Sequence, residues 1–348
     1  MTARQVSYSE PVHARLELDE LQQRLWSLPE QPDAIPYRTS YYDRSWGFCM
    51  ADRHRRELGP GLYEVHIDSE LTDGRLEVGE ITVPGESDHE VLLSTYLCHP
   101  SMANNELSGP MVVAQLADLL RARPERPRLT YRLLFVPETI GAIAYLARFG
   151  QRLRERLVAG YVVTCIGDPG RFTYKHSRRG DTLADRAARH VLEHAGEAHE
   201  LVDFYPPCSD ERQYCSPGFD LPVGSLMRTP YFDYPEYHTS LDDLDLVTPE
   251  ALAGSLEMYH RMIEALEEAR TYRVTVAEGE PQLGSRGLYS ATGGAKVNDQ
   301  AKRDMMFLLN FCDGGADLLA AGDRAERPIW ELARVARRLV DHELLYAV

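Results

Sequence analysis

The 348-residue chain is 43% hydrophobic and 26% charged, long enough for two or three domains around a large core and ordinary for a globular protein. Its 54 acidic against 38 basic side chains give a formal net charge of −16, which argues against a nucleic-acid-binding face over most of the surface. No run approaches the ~18 apolar residues of a membrane span, and "MTARQVSYSEPVHARLELDEL" carries no apolar signal core. The cysteines at 49, 98, 165, 208, 215 and 312 form no CxxC pair and suit a reducing compartment, so a cytoplasmic protein without a membrane partner is expected.

In chain order, "LELDELQQRLWSL" (16–28) reads as a short amphipathic helix stopped by "PEQPDAIP". Residues 61–83 alternate apolar and polar around "TDG" and predict a β-hairpin, so 1–85 is expected to be a small β-rich unit or insertion. From Glu90 the texture changes. "EVLLSTYL", "TYRLLFVP" and "LVAGYVVTCIG" are short, nearly continuous apolar strands of the kind buried on both faces. The helices "GPMVVAQLADLLRAR" and "GAIAYLARFGQRLRERL" lie between them, and further helices are predicted near 181–196 and 249–270. Thr248 is the expected N-cap of the last, with Pro249 at its first position. This alternation predicts an α/β domain over 86–278, a sheet with helices on both faces.

After the turn-rich "GEPQLGSRGLYSATGG" come three short helices, broken by "DGG" and "ERP", in the spacing of a winged helix over 279–348. From Gln282 onward this tail has nine Lys/Arg and nine Asp/Glu. A neutral module of this kind is expected to contact protein, including a second copy of the chain, rather than DNA.

The stretch "STYLCHPSMANNELSGP" (94–110) ends an apolar run at Cys98 and His99 and then places two asparagines and a glutamate before the next helix. Ligands of α/β sheets bind beyond the carboxyl ends of strands, and four polar groups fall there: His99, Glu138, Asp168 and, after a Tyr/Pro-rich loop, His238. Each alone reads as scaffold: a hydrogen-bonded core histidine, a helix-capping glutamate, a turn aspartate. Together they match the needs of zinc, which takes imidazole nitrogen and carboxylate oxygen at about 2.0–2.2 Å and keeps a position open. In "CSDERQYCSPG", Asp210, Glu211 and Arg212, with Tyr214 and the later Arg228, are candidates to bind a substrate's amine or carboxylate. The bland alternative is a surface ion-pair cluster.

The strings "PEQPDAIPYRTSYYDRSWGFC", "CHPSMANNELSGP", "PETIGAIAYL", "CIGDPGRFTYKHSRRGD", "SDERQYCSPGFDLPVGSLMRTP" and "PEYHTSLDDLD" resemble the bacterial aminopeptidase-like-domain proteins of unknown function that carry a C-terminal winged helix. The order of these strings also resembles the wider superfamily of co-catalytic zinc aminopeptidases and glutaminyl cyclases. The resemblance covers nearly the whole chain and implies a zinc-peptidase-like mixed sheet, one or two zinc ions, and His99 and His238 as the first and last metal histidines. It puts Glu138 at the general base or an adjacent ligand, and Asp168 nearest the fourth ligand position. It also implies a further N-terminal segment in relatives, so a shortened member is expected.

Two departures stand out. Asn105 replaces the aspartate that bridges two metals in the zinc peptidases, and Ser101 replaces the aspartate that orients the first histidine. A neutral amide cannot supply the charge that holds two cations ~3.5–4 Å apart, so either Glu106 substitutes or the site holds one metal or none. The expected function is hydrolysis of a peptide or aminoacyl amide next to a free amine. The alternatives are acyl transfer or cyclisation in a biosynthetic pathway, or a non-catalytic binding protein with a degenerate site.

Overall fold

The computed structural model describes residues 3–205, 208–288 and 300–348. At its centre is a seven-stranded sheet in the order His199–Val202, Phe172–Lys175, Val223–Met227, Leu157–Val163, Glu90–Tyr96, Thr130–Val136, Gly79–Val83. The pairs among 223–227, 157–163, 90–96 and 130–136 are parallel, and Gly79–Val83 closes one edge antiparallel to Thr130–Val136. Every residue of Glu90–Tyr96 is buried, as its unbroken apolar run requires for a strand covered on both faces.

Helices Ser108–Arg121, Leu183–Ala195 and Pro249–Glu268 cover one face, and Ile140–Arg156 covers the other. Gly109 lets the first of these approach the sheet. A Cβ there would lie 2.2 Å from the Val163 carbonyl oxygen and 2.4 Å from Thr95 Oγ1. Thr248 caps Pro249–Glu268 by accepting from the Ala251 N–H, as the sequence predicts.

The N-terminal region departs from the predicted hairpin. Leu62–Ile67 pairs antiparallel with Val12–Glu17, whereas Gly79–Val83 joins the main sheet, so the two flanks of "TDG" belong to different sheets. Both strands satisfy their alternation better with those partners: Val65 and Ile67 are buried beside Val12–Glu17, and Val83 enters the main core. The predicted helix over 16–28 is confined to Leu18–Gln22, flanked by the strands Val12–Glu17 and Leu25–Trp26.

At the C-terminal end a three-stranded sheet, Asp313–Asp317, Thr271–Val274, Leu345–Ala347, accompanies helices Gln300–Phe311, Leu318–Ala325 and Ile329–Asp341. The beginning of the predicted first helix and the last part of its glycine-rich connector, from 289 onward, lie outside the described residues. Leu308, Leu319 and Leu332 of this lobe belong to the same buried cluster as Val191, Leu192 and Tyr259 of the α/β body. Among the described residues no helix is long and apolar enough to cross a membrane.

Candidate active site

Three loops after the carboxyl ends of strands build the site. The loop after Glu90–Tyr96 runs through a single π-helical turn, Ala103–Leu107, before the helix begins at Ser108. Such turns concentrate at functional positions. Asp242 holds this turn from 137 or more residues away. Its carboxylate accepts the backbone N–H groups of Ala103 at 3.1 Å, Asn104 at 2.5 Å and Asn105 at 3.0 Å. The opening N–H groups of a helical turn have no partner within it, so a buried carboxylate placed there satisfies them together.

The same loop carries His99, which is buried and lies with its ring centroid 4.5 Å from that of His238. Glu106 accepts from His99 Nδ1 at 2.5 Å and from the Cys98 N–H at 2.6 Å. Cys98 Sγ also lies 2.9 Å from Nδ1, so Cys98, His99 and Glu106 form a close group. Two donors bound to one ion at about 2.0–2.2 Å in tetrahedral geometry sit more than 3 Å apart, so the contact between Glu106 and Nδ1 is a hydrogen bond. Glu106 therefore fixes the ring and leaves Nε2 as its free face, the task for which the sequence has no aspartate at Ser101. Burial, then the nearby Glu106 charge, pushes the Cys98 thiol far up, so it stays protonated.

His238 brings the second imidazole. Its Nε2 is buried and has no hydrogen-bond partner. Burial, with His99 adding, lowers its pKa to about 4, which keeps a lone pair available at neutral pH. The ring stacks on Tyr237 at 3.9 Å, and the Tyr37 ring stands edge-on to both histidines at 4.9 and 5.7 Å. The Tyr37 N–H donates to the His238 carbonyl at 2.8 Å, which ties the N-terminal region to the site.

Glu138 follows the strand Thr130–Val136, with Oε2 3.9 Å from His99 Nε2. Burial raises its pKa; the charge of His99 acts against that and the charge of Glu106 adds to it. Ser101, Thr139 and His238 all hold positive φ (65°, 61° and 56°) in the loops that carry His99, Glu138 and His238. Unfavourable backbone geometry persists where the surroundings over-determine it and concentrates at working sites.

The remaining sequence candidates are placed differently. Asp168, expected as a metal ligand, is engaged elsewhere: its two oxygens accept from Asn104 Nδ2, the Gly170 N–H, and the N–H and Oγ1 of Thr229, so its carboxylate braces two loops. Tyr214 is fully buried with its hydroxyl 2.8 Å from Ser94 Oγ, and Arg228 is spent on Ser255 Oγ, the Gly170 carbonyl and the Phe172 ring. Tyr214 is therefore closed off from a substrate, and Arg228 serves to brace the Gly170 loop.

Glu211 forms a buried pair with Lys175, which also contacts the Tyr231 hydroxyl. Asp210 accepts the strained Thr139 N–H at 2.7 Å, and its pKa is pushed up to about 8 by burial, with the charges of Glu138 and Glu211 adding. Arg212 is exposed and donates to Thr139 Oγ1. The loop 208–212 is thus the other wall around Glu138 rather than a surface ion-pair cluster. Asn105 keeps Oδ1 buried without a partner while its Nδ2 faces the Tyr96 hydroxyl at 3.4 Å.

Sequence reasoning missed Asp242, Tyr37 and Cys98. Asp242 lies in the quoted "PEYHTSLDDLD" string, but nothing local marks it as the clamp of a loop so distant in sequence.

The donors gathered here fit a divalent ion: the imidazoles of His99 and His238, the unpartnered amide oxygen of Asn105 and the neighbouring Glu138 carboxylate. A mixed sheet with such loops at its carboxyl edge is the architecture of the zinc aminopeptidases. A zinc aminopeptidase structure from Bacillus subtilis superposes with a TM-score of 0.54, at 13% identity over 69% of this chain and 62% of that one. The chain belongs to the family described as Domain of unknown function (DUF4910), which matches residues 21–269, and a winged helix-turn-helix match follows over 270–347.

A Clostridium acetobutylicum protein whose name couples polysaccharide biosynthesis with an aminopeptidase-like domain is 41% identical over 99% of this chain and 78% of its own length. A crystal structure from the same organism, provisionally named a peptidase, superposes with a TM-score of 0.91 at 40% identity, over 99% of this chain and 78% of that one.

Proposed function

We propose that this protein is a metal-dependent amide hydrolase holding a single zinc ion between His99 and His238, with Asn105 Oδ1 as a further donor. The observation that carries the reading is the pair of imidazoles 4.5 Å apart, one of them with a buried, unpartnered Nε2. When bound, the ion supplies Lewis-acid polarisation of the scissile carbonyl and acidification of a water. Glu138 accepts the proton from the attacking water and returns it to the leaving amine. Its raised pKa brings it closer to neutrality, which suits a group that must both take and give.

Glu106 holds His99 in one tautomer, and Asp210 fixes the turn at Thr139 that aims Glu138. Glu106 is committed to His99 and Asn105 is neutral, so no carboxylate is left to bridge a second cation. A single ion follows. The substrate class is a peptide or aminoacyl amide, with Arg212 as the exposed cation beside the base.

A second reading is favoured by the name of the Clostridium acetobutylicum relative: acyl transfer or cyclisation in polysaccharide assembly, with the same residues activating a different nucleophile. The six cysteines, none of them in a disulfide among the described residues, support a cytoplasmic location.

The test is Glu138→Gln in protein prepared without chelator. Retained zinc with a loss of aminoacyl-amide hydrolysis of roughly 10²–10⁴-fold supports the base assignment. Loss of zinc would make Glu138 a ligand instead. Zinc without any hydrolysis by the wild type would favour the transfer reading.

A further inference from the structure

Around the mouth of the site, aromatic rings are both exposed and conformationally strained. Tyr8, Tyr41 and Phe232 are 56, 62 and 67% exposed and hold φ of 65°, 40° and 72°. For a bulky side chain that region is a genuine outlier. The rings also form a connected file. Tyr42 lies 6.3 Å from Tyr41, and Tyr41 lies 6.3 Å from Tyr8. On the opposite wall Phe232 stands 4.9 Å from Tyr237, which stacks on His238.

Tyr41 follows by four residues Tyr37, whose ring meets both histidines, and the Ser7–Thr39 bridge with the Ser7 N–H to Arg38 carbonyl bond of 2.9 Å ties the Tyr8 segment to the same stretch, which sets this file beside the site. The bridge between Pro36 and Thr239 and the hydrogen bond from Ser240 N–H to the Ile35 carbonyl join the two walls.

We propose that this rim is a stacking subsite for a pyranose ring carried by the substrate, a proposal that rests on the hydrolase reading above and names its substrate class. An aromatic side chain would need a recessed apolar pocket to bury most of its surface. Cavities of about 520 and 400 Å³ do exist, but they are lined from Arg273 to Asp313 and between Arg123 and Arg337, in or against the C-terminal lobe. The rim itself is solvent-exposed and made largely of tyrosines. A pyranose fits that combination. Its C–H face meets the negative face of a ring, while its hydroxyls stay in water or reach tyrosine hydroxyls.

The experiment is saturation-transfer NMR on the full chain with methyl glycosides of glucose and N-acetylglucosamine, and with phenylalanine amide as the rival probe. Zinc is measured in the same samples. Transfer to sugar C–H protons is expected, with binding weakened about tenfold or more by Tyr41→Ala and by Tyr42→Ala. Tyr41→Gly should lose binding in the same way yet keep or raise Tm, because glycine relieves the positive φ. Transfer to phenylalanine amide alone, no transfer to either sugar, or sugar signals indifferent to both tyrosines would overturn the subsite. Sugar binding in protein that takes up no zinc would sink the hydrolase reading and leave the subsite standing.

Discussion

His99 stands out in the sequence because it closes an apolar strand, and His238 because it interrupts a Tyr/Pro-rich loop; the fold brings their ring centroids to 4.5 Å. Asp168 has the same outward signature, an acid before Pro169 at a strand end. Only the fold reveals that Thr229 and Asn104, 61 and 64 positions away, consume its oxygens. Local pattern therefore locates the loops but cannot separate a carboxylate that faces the site from one that braces it. Glu106 shows the reverse case: read as a possible bridge, it is committed to His99 Nδ1. Glu106→Gln is accordingly expected to lower zinc affinity about 10–100-fold while leaving Tm nearly unchanged, measured by competition with a chelator. Asp242→Ala should act differently. It leaves the buried N–H groups of Asn104 and Asn105 without their acceptor, while Ala103 keeps the backbone carbonyl of residue 242 at 3.0 Å, so a loss of roughly 2–4 kcal/mol in denaturant unfolding is expected. An unchanged midpoint would mean that the loop holds itself.

At the scale of elements, strands with unbroken apolar runs and helices with clear caps follow the sequence closely. The elements misread are those whose partner the sequence leaves open. Leu62–Ile67 and Gly79–Val83 both alternate, and alternation gives a face but no neighbour. The helix Leu183–Ala195 shows how firmly a local signal can act. Thr182 and Asp185 form a reciprocal capping box, and Asp185 also accepts from the Ser177 N–H and hydroxyl. Burial pushes the Asp185 pKa up, but the hydrogen bonds from His176, Ser177 and Thr182 outweigh it and hold the carboxyl well below its usual range. Stability from Asp185 is thus fully present above the unfolded value near 3.9 and is lost as pH falls through the lower folded value. His176 has the opposite sign. Its pKa is raised chiefly by the hydrogen bond to Asp185, so its share is present below about 6.5 and fades as pH rises through the folded value. The difference in unfolding free energy between wild type and His176→Gln should therefore be largest between about pH 4 and 6.5 and shrink by pH 8. A difference that grows toward pH 8 would contradict the assignment.

For the molecule as a whole, the three C-terminal helices are legible from their amphipathic spacing, whereas the four-residue strand Thr271–Val274 is hidden directly behind the long helix Pro249–Glu268. The winged-helix lobe is held by more than a linker. Arg186 grips Asp317 through two bonds of 2.9 and 2.6 Å, and Asp317 in turn caps the helix Leu318–Ala325. His190 is fully buried between Asp323 and the Ile329 N–H at the start of Ile329–Asp341. Truncation before Thr271 strips part of the shared apolar core, so the shortened chain should aggregate or lose several degrees of Tm. If it stays soluble and equally stable, the lobe is an independent appendage. The full chain is expected to show no salt-dependent duplex binding tighter than about micromolar, because nine positive and nine negative charges from Gln282 onward leave no net field for counterion release.

The proposed single zinc ion between His99 and His238 can be counted by elemental analysis. Protein purified without chelator and exposed to micromolar zinc should carry close to one zinc per chain. His99→Ala and His238→Ala should each remove it, and Cys208→Ser should retain it. No bound metal in the wild type, a second equivalent, or loss of zinc with Cys208→Ser but not with the histidine variants would rule out a single ion held by the two imidazoles.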